Sequence, residues 1–131
     1  MAQIQIVIVT PETTTLDQMV DSVTLPLVDG EAGILPGHAA MIGRLGPGEL
    51  RVQSGTTTDR YYVDGGFAQV EGKKVSVLTG QSMSASEIDL KAARTALEAA
   101  ENQSVNNPQM ADQKEKAIAQ AKAQVHMAER S

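Results

Sequence analysis

Residues 30–39, GEAGILPGHA, set three glycines and a proline around one of the chain's two histidines. So much backbone freedom beside an imidazole suits a phosphate cradle, a catalytic turn, or a loop that docks on a partner. The best phosphate candidate lies just downstream. Gly43-Arg44-Leu45-Gly46-Pro47-Gly48 has the glycine spacing of a P-loop, but Glu49-Leu50 stands where lysine and a hydroxyl residue are needed. Glutamate would repel phosphate, nothing there would hold magnesium, and the segment lies between strands instead of opening a helix. A turn is the expectation for residues 43–48.

A catalytic His38 would need an activated nucleophile and an orienting acid. The chain offers Ser22, Ser54 and aspartates with no motif around them, and G-x-S-x-G is absent. The second histidine, His126, falls on a predicted helix, so a two-histidine metal site would have to bridge the two halves of the chain. No catalytic residue, no cofactor and no metal site is expected, and His38 reads as a docking residue.

The elements that would carry this loop are strands. Residues 3–83 run in period two: Ile4, Ile6 and Ile8 share one face, as do Val23, Leu25 and Leu27. Leu50 and Val52, Tyr61 and Val63, and Val75 and Val77 continue the alternation. Turn signals punctuate it at Thr10-Pro11, Asp29-Gly30, Gly46-Pro47-Gly48, Ser54-Gly55, Gly65-Gly66 and Glu71-Gly72. Alternating faces at this spacing must be buried against one another, which predicts an antiparallel β-sandwich over residues 1–83.

At Ser84 the period changes. Ser84-Ala85-Ser86-Glu87 has the spacing of a capping box. Leu90, Ala93, Leu97 and Ala100 then recur at helical steps, residues 102–108 interrupt, and Ile118, Ala121, Val125 and Ala128 form a second seam. Residues 84–131 are therefore expected to form an antiparallel α-helical hairpin. Its seams are rich in alanine, which gains little per buried position, so the hairpin is expected to be weakly held.

Composition bounds the function. The 131 residues carry a net charge of −5 and only three aromatic side chains, Tyr61, Tyr62 and Phe67, which excludes a basic or stacking surface for nucleic acid. There is no cysteine, hence no disulfide or thiolate chemistry. The longest apolar run, Ile4–Val9, is far too short to span a bilayer, and neither membrane insertion nor a secretory signal is expected. Helix one is acidic, whereas helix two carries a slight basic excess through Lys114, Lys116, Lys122 and Arg130.

Gly30-Glu31-Ala32-Gly33-Ile34-Leu35-Pro36-Gly37-His38 resembles the G-x-x-G-x-L/Y-P-G-H signature of the epsilon subunit family of F-type ATP synthases. The resemblance continues through Val9-Thr10-Pro11-Glu12, Val20-Asp21-Ser22-Val23, Pro47-Gly48-Glu49-Leu50-Arg51-Val52, Val63-Asp64-Gly65-Gly66-Phe67 and Val75-Ser76-Val77-Leu78. It extends into the hairpin at Ser86-Glu87-Ile88-Asp89 and covers essentially the whole chain.

The resemblance implies a non-catalytic rotor subunit on the cytoplasmic face of the bacterial inner membrane, bound peripherally. Its sandwich would bind the gamma subunit and the c-subunit ring, with Gly30, Glu31, Gly33, Ile34, Pro36, His38, Ile42 and Gly48 at the interface. Glu31, at the loop tip, would face the c ring. The extended helices would reach the catalytic alpha and beta subunits transiently through Lys114, Lys116 and Lys122 and inhibit hydrolysis. Some members bind ATP through an I/L-D-x-x-R-A motif. Ile88, Asp89 and Ala93 match it, but Ala92 replaces the arginine, and Gln120 and Gln124 stand where helix-two arginines would lie. Losing those guanidiniums removes the phosphate-pairing geometry, so no nucleotide sensing is expected. Two rivals stay open from the residues alone: a convergent sandwich-plus-hairpin adaptor, and a small hydrolase using His38.

Overall fold

A computed structural model describes residues 2–130; Met1 and Ser131, the outer bounds of the two expected domains, lie outside the described residues. The strands are β1 (Ile4–Val9), β2 (Thr14–Val20), β3 (Ser22–Leu27), β4 (Gly30–Ile34), β5 (Met41–Ser54), β6 (Thr57–Glu71), β7 (Lys74–Leu78) and β8 (Ser82–Ser84). Two helices follow, α1 (Leu90–Glu101) and α2 (Pro108–Glu129). The chain divides into two compact units, Met1–Ser84 and Ala85–Ser131.

The strands hydrogen-bond in the order β2-β1-β7-β6-β5-β3-β4, with β8 added beside β6. Ile4, Ile6 and Ile8 from one end of this order share a core with Val23, Leu25 and Ile34 from the other end. The sheet therefore folds over on itself into a sandwich. Every neighbouring pair is antiparallel except β1 with β7, which run parallel with Ile6 opposite Val75 and Ile8 opposite Val77. The period-two residues make this core: Leu50, Val52, Val63, Val75 and Val77 are all buried. Burying an aliphatic side chain of this size is worth about 1.5–3 kcal/mol, so the sandwich has a strong drive to form by itself.

Three local readings change. The Gly46-Pro47-Gly48 and Gly65-Gly66 signals are not chain reversals; they lie inside β5 and β6, which pair in one register from Met41↔Val70 to Ser54↔Thr57, the ladder passing over Gly46 and Gly65. On its other side, β5 pairs with β3 at Leu45 and next at Arg51, so the ladder there asks for no N–H from Pro47. Gly65 and Gly66 take φ of 81° and 104°, and they bend β6 without ending it. Third, the fully buried tyrosine is Tyr62, whose hydroxyl donates to Asp64 Oδ1 at 2.7 Å, whereas Tyr61 is only part-buried.

In the helical unit, Ala93, Ala100 and Ala121 are buried, and Leu90, Leu97, Ile118, Val125 and Ala128 are half-buried, as the seams predict. Arg94 near the start of α1 lies 4.0 Å from Glu129 at the end of α2, so the helices run antiparallel. The caps differ from expectation. Ser84 ends β8, residues Ala85–Glu87 form a 3-10 turn, and α1 is capped by Asp89, which accepts the Ala92 N–H at 3.2 Å. Asn107 caps α2 by accepting the Met110 N–H at 2.9 Å. Pro108 then occupies the first turn, where a missing N–H costs nothing.

Candidate docking surface

The turn after β4 is built from its sequence. Pro36 fixes its own φ, Gly37 takes φ of 89°, and the His38 N–H donates to Leu35 O at 3.1 Å. Proline followed by a positive-φ glycine is the chemistry of a type II turn. His38 Nδ1–H then donates to the Ala39 carbonyl at 2.7 Å. A carbonyl can only accept, so Nδ1 carries the proton in this contact.

The preceding residues are not a loop. Gly30, Glu31, Gly33 and Ile34 lie on β4, where Glu31 faces Pro26 and Ile34 faces Val23. Ile34 is 0% exposed and belongs to the core, so it is removed from the docking residues: the strand register turns it inward. Glu31 is not at a loop tip either. It accepts from Arg51 Nη1 at 2.9 Å and from Nη2 at 3.1 Å, and Arg51 also donates to Glu49 at 3.2 Å. Glu49 is in turn paired with Arg60. The Glu31 hydrogen bond, opposed by partial burial, raises the Arg51 pKa above its ordinary value. Gly48 sits in mid-strand, where a Cβ would lie 3.1 Å from Pro26 Cβ, so its small size serves packing against β3.

The exposed apolar residues lie elsewhere on the sandwich as well. Ile42 is 75% exposed, Phe67 53% and Leu78 56%. Arg44 stands opposite Phe67, Phe67 opposite Leu78, and Ile42 opposite Gln69. These registers place Ile42, Phe67 and Leu78 on one outward face across β5, β6 and β7. Phe67 and Leu78 were not among the sequence-derived interface residues. The signal was present: Ala68 and Val70 alternate inward, so the chain's only phenylalanine must point out. Leu35, at the turn, is exposed too.

On the helices, Asp89 is engaged as a cap and Ala93 is buried in the seam, while Ile88, Gln120 and Gln124 are half-buried. Lys116 and Lys122 are exposed and Lys114 is half-buried. Among the described residues no group of three or more His, Cys, Asp or Glu could hold a metal, and no helix is long and apolar enough to cross a membrane.

Residues 3–85 match the family described as the ATP synthase, Delta/Epsilon chain, beta-sandwich domain. The chain is 45% identical over 122 residues to the ATP synthase epsilon chain of Rhodopirellula baltica, covering 93% of this chain and 95% of that one. It is 44% identical over 102 residues to that of Granulibacter bethesdensis, covering 77% and 76%. Among solved structures it is similar to a chain of the Euglena gracilis mitochondrial ATP synthase, determined as OSCP/F1/c-ring. That match has a TM-score of 0.86 and 28% identity, covering all of this chain and 83% of that one. A chain of the Tetrahymena thermophila central stalk/c-ring structure has the same fold, with a TM-score of 0.72 at 13% identity. The chain belongs to the ATP synthase epsilon family.

Proposed function

We propose that this chain links the gamma subunit to the c ring through its sandwich, and that its helical hairpin restrains ATP hydrolysis. An epsilon chain is a non-catalytic, peripheral subunit of the rotary ATP synthase, so its work is done by surfaces. The observation that carries the docking reading is the outward row of Ile42, Phe67 and Leu78 on adjacent strands. Large apolar side chains grouped on a sheet face mark an interaction site. The row is assigned to gamma. The c ring is assigned to β4 and the Leu35–His38 turn that follows it, which between them carry Gly30, Glu31, Gly33, Pro36 and His38. Glu31 acts there as half of an ion pair with Arg51 instead of as a free charge. In a bacterium this places the subunit on the cytoplasmic face of the inner membrane, coupled to proton flow.

The regulatory reading rests on α2. Its seam mixes alanine with Ile118, Val125 and the buried Met127, Lys116 and Lys122 are exposed, and residues 102–107 between the helices are exposed throughout. A hairpin held this lightly can exchange between packings a few kcal/mol apart. Extended, α2 would bring Lys114, Lys116 and Lys122 to acidic segments of the alpha and beta subunits. The test is ATP hydrolysis by the reconstituted catalytic head with gamma, with and without this chain. Slower hydrolysis that is restored by Lys114→Ala, Lys116→Ala and Lys122→Ala together supports the reading. Tight binding with unchanged hydrolysis leaves a purely structural link. No binding to gamma refutes both parts.

A further inference from the structure

Two hollows adjoin on the sandwich. One, about 350 Å³, is walled mainly by Val9, Pro11, Leu78 and Gly66. The other, about 580 Å³, is walled by Glu12, Thr13, Thr15, Asp64, Gln81 and Ser82. Thr10 and Gly80 line both, so the two form one groove with an apolar half and a polar half. Leu78 also ends the exposed apolar row, which makes the groove continuous with the docking face.

The hydroxyl protons decide what the polar half can hold. Thr10 Oγ1 donates to Thr13 O at 3.1 Å, and Thr15 Oγ1 donates to Ile8 O at 3.2 Å. With their protons spent on backbone carbonyls, these hydroxyls offer the groove lone pairs. Asp64 is held by its surroundings: its Oδ1 accepts from Tyr62 at 2.7 Å, and its N–H meets Thr79 Oγ1 at 2.9 Å. Its Oδ2 lies toward the groove floor, 3.9 Å from where a Cβ on Gly80 would sit. Ser82 Oγ is buried with no hydrogen-bond partner among the described residues. No lysine, arginine or histidine lines either hollow.

The groove thus supplies acceptors and two carboxylates but no cation. An anion is repelled, and a bare cation would leave the apolar half unused. A side chain with an aliphatic stem and a cationic head matches both halves. We propose that the groove receives one lysine or arginine side chain of the gamma subunit. Its stem lies on Val9, Pro11 and Leu78, and its head donates to Asp64, with Glu12 at the rim. The proposal rests on the stalk-docking reading and adds the chemistry of one contact to it.

The test measures affinity of the full chain for the gamma-containing catalytic head across a range of salt concentrations. Asp64→Asn keeps the shape and the Tyr62 hydrogen bond while removing the charge. It is expected to weaken binding about tenfold and to flatten the salt dependence, because a charge pair is lost. Glu12→Gln, at an exposed turn, is expected to flatten the salt dependence with a smaller loss of affinity. If both variants bind as the parent does, with an unchanged salt slope, the proposal is overturned while docking itself stands. If Asp64→Asn fails to fold, Glu12→Gln decides by its salt slope. If the parent does not bind at all, the docking reading fails first, and this proposal fails with it.

Discussion

Gly66 shows how much one residue can determine. Its φ is 104°, and a Cβ there would stand 2.0 Å from the Leu78 carbonyl oxygen. Gly66→Ala must either break the close approach of β6 to β7 or shift both strands. It is expected to cost about 3 kcal/mol, read as a lowered denaturant midpoint of the full chain. Gly33 has open space around it and no positive φ, so Gly33→Ala is expected to be nearly neutral in the same assay. Tyr61 gives a pH signature. Burial first, and Asp59 second, push its pKa above 10.0. A folded-state pKa raised in this way means that the folded protein keeps its proton where the unfolded chain has lost it. The associated stability is complete below the unfolded value and is lost as pH rises through the folded one. Parent stability should therefore fall more steeply than that of Tyr61→Phe as pH rises above the ordinary tyrosine value, measured by denaturant titration. Parallel curves would show that Tyr61 ionises freely in the fold.

The elements were legible where the pattern has a single cause. Ile4, Ile6 and Ile8 face inward because a half-buried strand must alternate, and Ala93, Ala100 and Ala121 are buried because a helical seam recurs at three or four residues. Glycine and proline have several causes, and there the sequence misled. Gly46-Pro47-Gly48 and Gly65-Gly66 look like turns but are the places where two long strands bend, which depends on β3 and β7 pairing from distant parts of the chain. The docking residues divide in the same way. Pro36, Gly37 and His38 are legible as a turn, whereas the placing of Ile34 in the core and of Glu31 against Arg51 follows from a β3–β4 register that no local spacing reveals. Caps sit between these cases. Ser84 and Glu87 have the right spacing for a capping box, but β8 claims Ser84, a 3-10 turn takes Ala85–Glu87, and the helix starts after Asp89, whose carboxylate accepts the Ala92 N–H. Asp89→Ala is accordingly expected to destabilise α1 by about 1 kcal/mol, seen as faster hydrogen exchange at Ala92 and Ala93. Exchange unchanged from the parent would mean that the cap is dispensable.

At the scale of the whole molecule, the two units differ in what holds them. The sandwich core is made entirely from residues of the first unit, Ile4 through Val77, with fully buried isoleucine, leucine and valine side chains. The second unit buries only Ala93, Ala100, Ala121 and Met127 among its described residues, and three of these four are small side chains that contribute little per contact. The Ile42, Phe67 and Leu78 row, the Leu35–His38 turn and the groove at Asp64 all belong to the first unit, while Lys114, Lys116 and Lys122 belong to the second. Docking and regulation are thereby separable by one cut. A chain ending at Ser84 is expected to unfold cooperatively and to bind gamma within about threefold of the full chain, since most affinity comes from a few buried apolar anchors. It is also expected to leave ATP hydrolysis by the catalytic head unrestrained, because the lysines are gone. Calorimetry, a gamma-binding titration and a hydrolysis assay on the same preparation check the three parts. A fragment that folds yet does not bind gamma would move the docking surface to the helices. A fragment that binds and still slows hydrolysis would move the restraint to the sandwich, where only the docked face could exert it.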